Sequence, residues 1–344
     1  MKSAKLYSFG DIRIEDILVP KLGEKEVLIQ TKFSGICSGD VMPWYVEKKA
    51  PLVLGHEPAG LVVQVGSRVK EFRPDIQEGS RVFVHHHAPC LNCNFCNRRD
   101  YVHCQTWKDS KIIPGGISEY ILVPEINLKN DTLLLPQQIS YEDGAMIEPI
   151  ACVVKSLKRA NIQKGDNVVI IGLGIMGQIH VMLAKYYGAS RVICIDKIPF
   201  RINKALEIGA DAVIDYSKLD ANKVLNEITK GRMAQVVIVC PNNLTAMESA
   251  FDLISPGGSV VFFSPADPKD YLKLPINELY FKDISIINSY SCGPNDTKEA
   301  LELIVKGVIK PERLITHRFT IDDTAKAYSL VIEAKDSLKV MIYF

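Results

Sequence analysis

Asn167–Gly177 reads NVVIIGLGIMG. Its first half is an apolar run with no polar alternation, the pattern of a strand buried on both faces. Its second half spaces glycines at Gly172, Gly174 and Gly177, with Leu173, Ile175 and Met176 between them. A strand followed by this turn and then a helix has a physical purpose. Residues without Cβ let the backbone approach a pyrophosphate, whose charge rests on amide N–H groups at the positive end of the helix. Asp196 lies nineteen residues beyond Gly177 and closes the next apolar run, VICID. Its carboxylate suits the hydroxyls of an adenine ribose and repels a 2′-phosphate, which favours NAD over NADP; the neighbouring Lys197 weakens that discrimination.

The alternation continues downstream with AVID at 212–215, QVVIVC at 235–240, SVVFFS at 259–264 and ISIINSY at 284–290. Helical stretches separate these runs, which predicts a doubly wound parallel sheet of Rossmann type. Upstream the texture differs. EVLIQT at 26–31, GLVVQV at 60–65 and RVFV at 81–84 are short runs broken by Gly and Pro, as in an antiparallel barrel or sandwich. After about residue 291 a helix, a strand, a second helix and a closing KVMIYF run follow. The expected fold class is therefore α/β, an antiparallel barrel domain joined to a Rossmann domain.

A chain of 344 residues predicts two domains. With 41 basic against 40 acidic residues, net charge is +1, which argues against nucleic acid as a partner and leaves a small molecule. No run of eighteen apolar residues predicts a membrane span. Asp11, Glu15 and Asp16 follow the start with no apolar leader core, so a cytoplasmic location is expected. Nine cysteines is an odd number, and four crowd into residues 90–104. In a reducing compartment such a cluster reads as metal ligands.

Cys90-x2-Cys93-x2-Cys96-x7-Cys104 has the spacing of a closed tetrahedral zinc site that staples a loop. An iron–sulfur cluster fits less well, because the last gap is seven and Gln105 follows where a proline is usual. A second, scattered set comprises Cys37, Gly55-His56-Glu57 and Glu148-Pro149. A thiolate, an imidazole and a carboxylate can hold a catalytic zinc with one position open, and two anionic ligands balance its charge. Pro149 disfavours helix at Glu148 and suits the first position of a new helix. The tract His85-His86-His87 is read as structural or as the rim of a cleft, because neighbours in a strand face opposite ways. Cys152, Cys194, Cys240 and Cys292 read as inert buried thiols.

The order Cys37, Gly55-His56-Glu57, the four-cysteine lobe, Gly115-Gly116-Ile117-Ser118-Glu119-Tyr120, Glu148-Pro149 and the glycine turn with Asp196 resembles the zinc-dependent medium-chain dehydrogenase/reductase (alcohol dehydrogenase) family. Glu57 and Glu148 resemble its sorbitol and threonine dehydrogenase branch. The resemblance implies a GroES-like catalytic domain at 1–152, an inserted NAD-binding domain at 153–290 and a return to the first domain at 291–344. It implies one catalytic and one structural zinc, with Cys37, His56 and either Glu148 or Glu57 as catalytic ligands and Asp40 orienting His56. It also implies NAD-dependent, reversible oxidation of a secondary alcohol on a polyol, cyclitol or similar polar substrate, by a homo-oligomer. A 3-hydroxy amino acid dehydrogenase of L-threonine type is the alternative. A non-catalytic zinc- and dinucleotide-binding protein is the alternative of another class. One departure stands out: the family's proton-relay positions hold Gly39 and Met42, neither of which carries a transferable proton.

Overall fold

The structure is a computed structural model that describes residues 1–344. Sixteen strands, numbered in chain order, carry the architecture. The first eight are β1 (Lys2–Ser8), β2 (Asp11–Asp16), β3 (Val27–Gly35), β4 (Leu52–Val53), β5 (Pro58–Val65), β6 (Arg81–Val84), β7 (Tyr120–Val123) and β8 (Thr132–Leu134). Then come β9 (Asn167–Ile171), β10 (Arg191–Asp196), β11 (Ala212–Asp215), β12 (Ala234–Val239), β13 (Ile254–Phe262) and β14 (Ser285–Asn288), followed by β15 (Ile315–Thr320) and β16 (Lys339–Tyr343). The chain forms two compact units. One comprises Met1–Ala151 with Cys292–Phe344, the other Cys152–Ser291.

In the second unit the strand order is β11-β10-β9-β12-β13-β14 and every pairing is parallel. The order reverses between β9 and β12, which makes that point a topological switch. All five residues of β9 are buried, as a central strand covered on both faces requires. Helix Ile175–Ala184 follows β9, and helix Pro199–Ile208 follows β10. The second of these stops at Gly209, whose φ of 117° places it in the left-handed region that a side chain disfavours.

His180 lies fully buried on the first of these helices. Its Nδ1 is 2.8 Å from the Met176 carbonyl and its Nε2 is 3.1 Å from the Ser156 hydroxyl. A neutral ring satisfies both: Nδ1–H donates to the carbonyl and Nε2 accepts from the hydroxyl. Burial pushes its pKa down to about 4. The unfolded chain takes a proton near pH 6.5 and the folded chain resists it, so His180 weakens folding as pH falls from about 6.5 to about 4. Replacement by Gln should reduce this acid sensitivity by up to about 3 kcal/mol, read from urea melts at several pH values. Parallel stability–pH curves for the two proteins would refute the assignment.

The first unit holds a seven-stranded sheet ordered β15-β16-β3-β5-β6-β8, with β7 also on β3. Along one edge of β3, β7 pairs with Val27–Gln30 and β16 pairs with Phe33–Gly35. β5 runs along the other edge. A single strand with two successive partners on one side is how a short antiparallel sheet curls toward closure. A smaller sheet, β2-β1-β4, is joined by the bridge Ser3↔Ser118. Two larger apolar cores lie in this unit. One is built around Leu54, Ile117, Val340 and Ile342, the other around Ile29, Val62, Val82 and Ile121. No helix is long and apolar enough to cross a membrane.

Two local expectations fail. Glu148 does not precede a helix but sits within the first turn of helix Ile147–Ala160. Pro149 is tolerated there because first-turn amides have no partner inside the helix. His85–His87 are not in a strand, since β6 ends at Val84, so the alternating-face argument does not apply to them.

Candidate active site and metal centres

The four-cysteine lobe is two short helical turns, Asn94–Asn97 and Tyr101–His103, which bring the thiols to one point. Sulfur separations are 3.5 Å for Cys93–Cys96, 3.6 Å for Cys90–Cys104 and 3.9 Å for Cys90–Cys96. Thiolates about 2.3 Å from one tetrahedral ion stand ~3.8 Å apart, so the donor set fits zinc. Burial disfavours the Cys104 thiolate, yet the amides of Cys90 and Trp107 draw its pKa to about 6. Around the thiols pack Tyr101, Val102 and Trp107, a small satellite core.

The second set assembles from three segments. Cys37 follows β3 and caps a short 3-10 turn, and the Gly39 amide donates to its sulfur at 3.3 Å. His56 and Glu57 lie just before β5. Their loop is held backbone to backbone, with the Gly116 amide on the Gly55 carbonyl at 2.8 Å. A Cβ on Gly116 would sit 2.8 Å from the Gly55 carbonyl carbon, which explains the bare glycine pair in the Gly115–Tyr120 motif. Donor atoms of Cys37, His56 and Glu57 all lie within 4.8 Å of one another. His56 Nδ1 faces Asp40 Oδ2 at 3.5 Å, an electrostatic contact without a formed hydrogen bond. Burial opposes the His56 imidazolium, but Asp40 and Cys37 outweigh it and hold the ring well above its ordinary pKa. Asp40 and Tyr328 also line a cavity of about 20 Å³, room for one water.

Glu57 is fully buried and its two oxygens differ. One bonds the buried ammonium of Lys339, which also donates to the Ile36 carbonyl at 3.0 Å. The other, Oε1, is buried without a partner. An orphaned carboxylate oxygen beside a thiol and an imidazole is what a zinc shell would use. A Cβ on Gly35 would collide with both Glu57 and Lys339, so this pair needs glycine beneath it. Lys339 and Gly35 escaped the sequence reading, because nothing local marks a lysine 282 positions from its partner.

Glu148 is not in that group. Its carboxylate gathers instead with His85 and Cys292, although its charge still acts on His56 and Glu57. His85 Nδ1 is 2.6 Å from Asp131, and Thr297 donates to the other oxygen of Asp131, also at 2.6 Å. Sequence reasoning named His85, Glu148 and Cys292 one by one, Cys292 as an inert thiol, and did not bring them together.

In the second unit the three glycines of the turn do separate jobs. Gly172 has φ of 84°, and a Cβ there would meet Pro241 at 2.6 Å. A Cβ on Gly177 would strike the Gly172 carbonyl oxygen, so helix and strand could not close. A Cβ on Gly174 would meet nothing nearer than Arg201 at 3.9 Å, leaving open space where a pyrophosphate fits. Asp196 is nearly buried and accepts from the amides of Leu173 at 2.7 Å, Lys197 at 2.7 Å and Ile198 at 2.9 Å. The turn and the carboxylate thus brace each other. Gly174→Ala should fold with unchanged melting temperature but bind dinucleotide at least about tenfold more weakly. Gly177→Ala should lower the melting temperature itself. Equal effects of the two changes on both readouts would contradict this division.

Comparison with known proteins gives matches to two family profiles. A zinc-binding dehydrogenase profile covers residues 176–306, and an alcohol dehydrogenase GroES-like domain profile covers residues 23–132. A sorbitol dehydrogenase of Bombyx mori is 31% identical, over 99% of this chain and 98% of its own length. A D-arabitol-phosphate dehydrogenase of Enterococcus avium is also 31% identical, over 95% of this chain and 92% of its own. Among solved structures, a zinc-binding dehydrogenase of Sinorhizobium meliloti 1021, bound to NADP, is 26% identical with a TM-score of 0.87, covering 100% of this chain and 99% of that one.

Proposed function

This chain belongs to the zinc-dependent medium-chain alcohol dehydrogenase family, and from that premise we propose that it oxidises a secondary alcohol of a polyol or cyclitol to the ketone, reversibly, with NAD. The observation that carries the reading is the orphaned Glu57 oxygen grouped with Cys37 and His56. Cys37, His56 and Glu57 are the residues that would hold the catalytic ion, with Glu148 close enough for its charge to be felt there. When bound, zinc would supply Lewis acidity that lowers the pKa of an alcohol hydroxyl, and a nicotinamide would supply the hydride acceptor.

The chain's own residues do the positioning. Asp40 sets the ring of His56 so that one nitrogen faces the metal. Lys339 fixes one oxygen of Glu57 and leaves the other free. Gly174 lets the cofactor's phosphates reach the backbone, and the Asp196 carboxylate favours NAD through repulsion of a 2′-phosphate. The four cysteines would hold a second, structural zinc that takes no part in the chemistry. Gly39 and Met42 carry no proton to the bulk, so the hydroxyl proton leaves by another group or by water.

A homo-oligomer is part of the proposal. Strand β14 is a sheet edge, and Tyr280 and Phe281 beside it are 77% and 78% exposed. An open edge flanked by exposed aromatic rings favours burial against another copy. Light scattering at the mass of a single chain would remove this element. The main test is a substrate screen following reduced nicotinamide, with sorbitol, xylitol, inositols, sugar alcohol phosphates, threonine and simple secondary alcohols, each with NAD and with NADP. Turnover is expected on a polyol or cyclitol with NAD preferred. Turnover confined to threonine or to simple alcohols would refute the substrate class, and preference for NADP would refute the role given to Asp196.

A further inference from the structure

We propose that His85, Glu148 and Cys292 form a third cation site for a zinc-class divalent ion, apart from the four-cysteine site and from the Cys37–His56–Glu57 set. Three ligand types converge from distant segments of the first unit. His85 follows β6, Glu148 lies in the first turn of helix Ile147–Ala160, and Cys292 stands just before helix Pro294–Val305. Their donor atoms lie within 4.8 Å of one another, and all three residues are buried, at 2%, 7% and 0% exposure.

The spacing suits a shared ion. His85 Nε2 and Cys292 Sγ are 3.8 Å apart. A nitrogen and a sulfur bound to one tetrahedral zinc stand about 3.6 Å apart. The sulfurs of the four-cysteine lobe span 3.5 to 3.9 Å in the same structure. A thiol-to-imidazole hydrogen bond of 3.8 Å would be a long one. A thiolate and a carboxylate together also balance a 2+ ion, which offsets the cost of placing both in a dry interior.

The surroundings are those of a built site. Asp131 takes the Nδ1–H of His85 at 2.6 Å, which aims Nε2 at the cluster. Thr297 in turn holds Asp131 at 2.6 Å. The side-chain amide of Asn127 donates to the carbonyls of His85 at 3.1 Å and His86 at 2.8 Å, and so fixes the backbone of the tract. This carboxylate–histidine–metal arrangement repeats the Asp40–His56 pair with a shorter contact. Cys292, His85 and Asp131 also resemble a nucleophilic triad, but a fully buried sulfur meets no substrate.

The test is metal content and position. Full-length protein is passed over a chelating resin to remove loosely held ions. Metal per chain is then measured by plasma mass spectrometry, and crystals are measured on both sides of the zinc absorption edge. About three ions per chain are expected, one of them within ligand distance of His85, Glu148 and Cys292. Cys292→Ala and His85→Gln should each remove that ion alone and leave the other two. Two ions per chain, with Glu148 turned to the ion at Cys37 and His56, would overturn the proposal while leaving the proposed reaction intact. Unchanged metal content in both variants would also overturn it. If the variants fail to fold, the anomalous map of the unaltered protein decides by itself.

Discussion

Cys37→Ala should lower kcat by on the order of 10³-fold or more, with the protein still folded. The thiol supplies one of the two anionic ligands expected at the catalytic ion, and Ala offers no donor in its place. The Gly39 amide, which donates to this sulfur, prepares it for the thiolate form that a metal requires. In the free chain burial raises the Cys37 pKa, with His56 opposing it. The loss should therefore appear in kcat and in metal content together: one ion fewer per chain, with the four-cysteine ion retained. Steady-state kinetics with metal analysis on the same sample would check this. Full turnover in the variant would remove Cys37 from the chemistry.

Loss of the ion proposed for the four-cysteine lobe should have an equally large effect of another kind. The lobe from Cys90 to Trp107 has a satellite core of only five buried residues, two of them ligands. So little apolar burial cannot order the segment by itself. Arg98 and Arg99 are exposed on it and offer trypsin two cleavage points once it opens. Cys96→Ala, or chelation, is expected to speed tryptic cleavage at these arginines by about 100-fold or more, equivalent to ~2.7 kcal/mol of local opening. Added zinc should reverse the effect of chelation and not that of the substitution. Equal cleavage half-lives for Cys96→Ala and the unaltered protein would show that the lobe stands without metal.

Much of the architecture was legible because its signals are local. Strand β9 reads as a strand from five consecutive residues, and the glycines that follow it need only their immediate neighbours. Four cysteines within fifteen positions announce themselves in the same way. Contacts between distant residues were not legible. Lys339 meets Glu57 across 282 positions, and Cys292 meets His85 across 207. No periodicity reports such pairs, because they arise only when strands and loops are already placed. Pro149 shows another limit: a proline marks a helix boundary in sequence, whereas in the first turn of Ile147–Ala160 it costs the helix no hydrogen bond.

The position of β16 between β15 and β3 has a consequence for biosynthesis. The stretch from Lys339 to Tyr343 supplies both the neighbour of β3 and the ammonium that steadies Glu57. A ribosome releases these residues only after all of Cys152–Ser291 has emerged. The unit Cys152–Ser291 can thus mature on a nascent polypeptide, while its companion must wait, half-assembled, until Lys339–Tyr343 has emerged. During that interval the Phe33–Gly35 margin of β3 has no β16 beside it, an open edge that invites pairing with other chains.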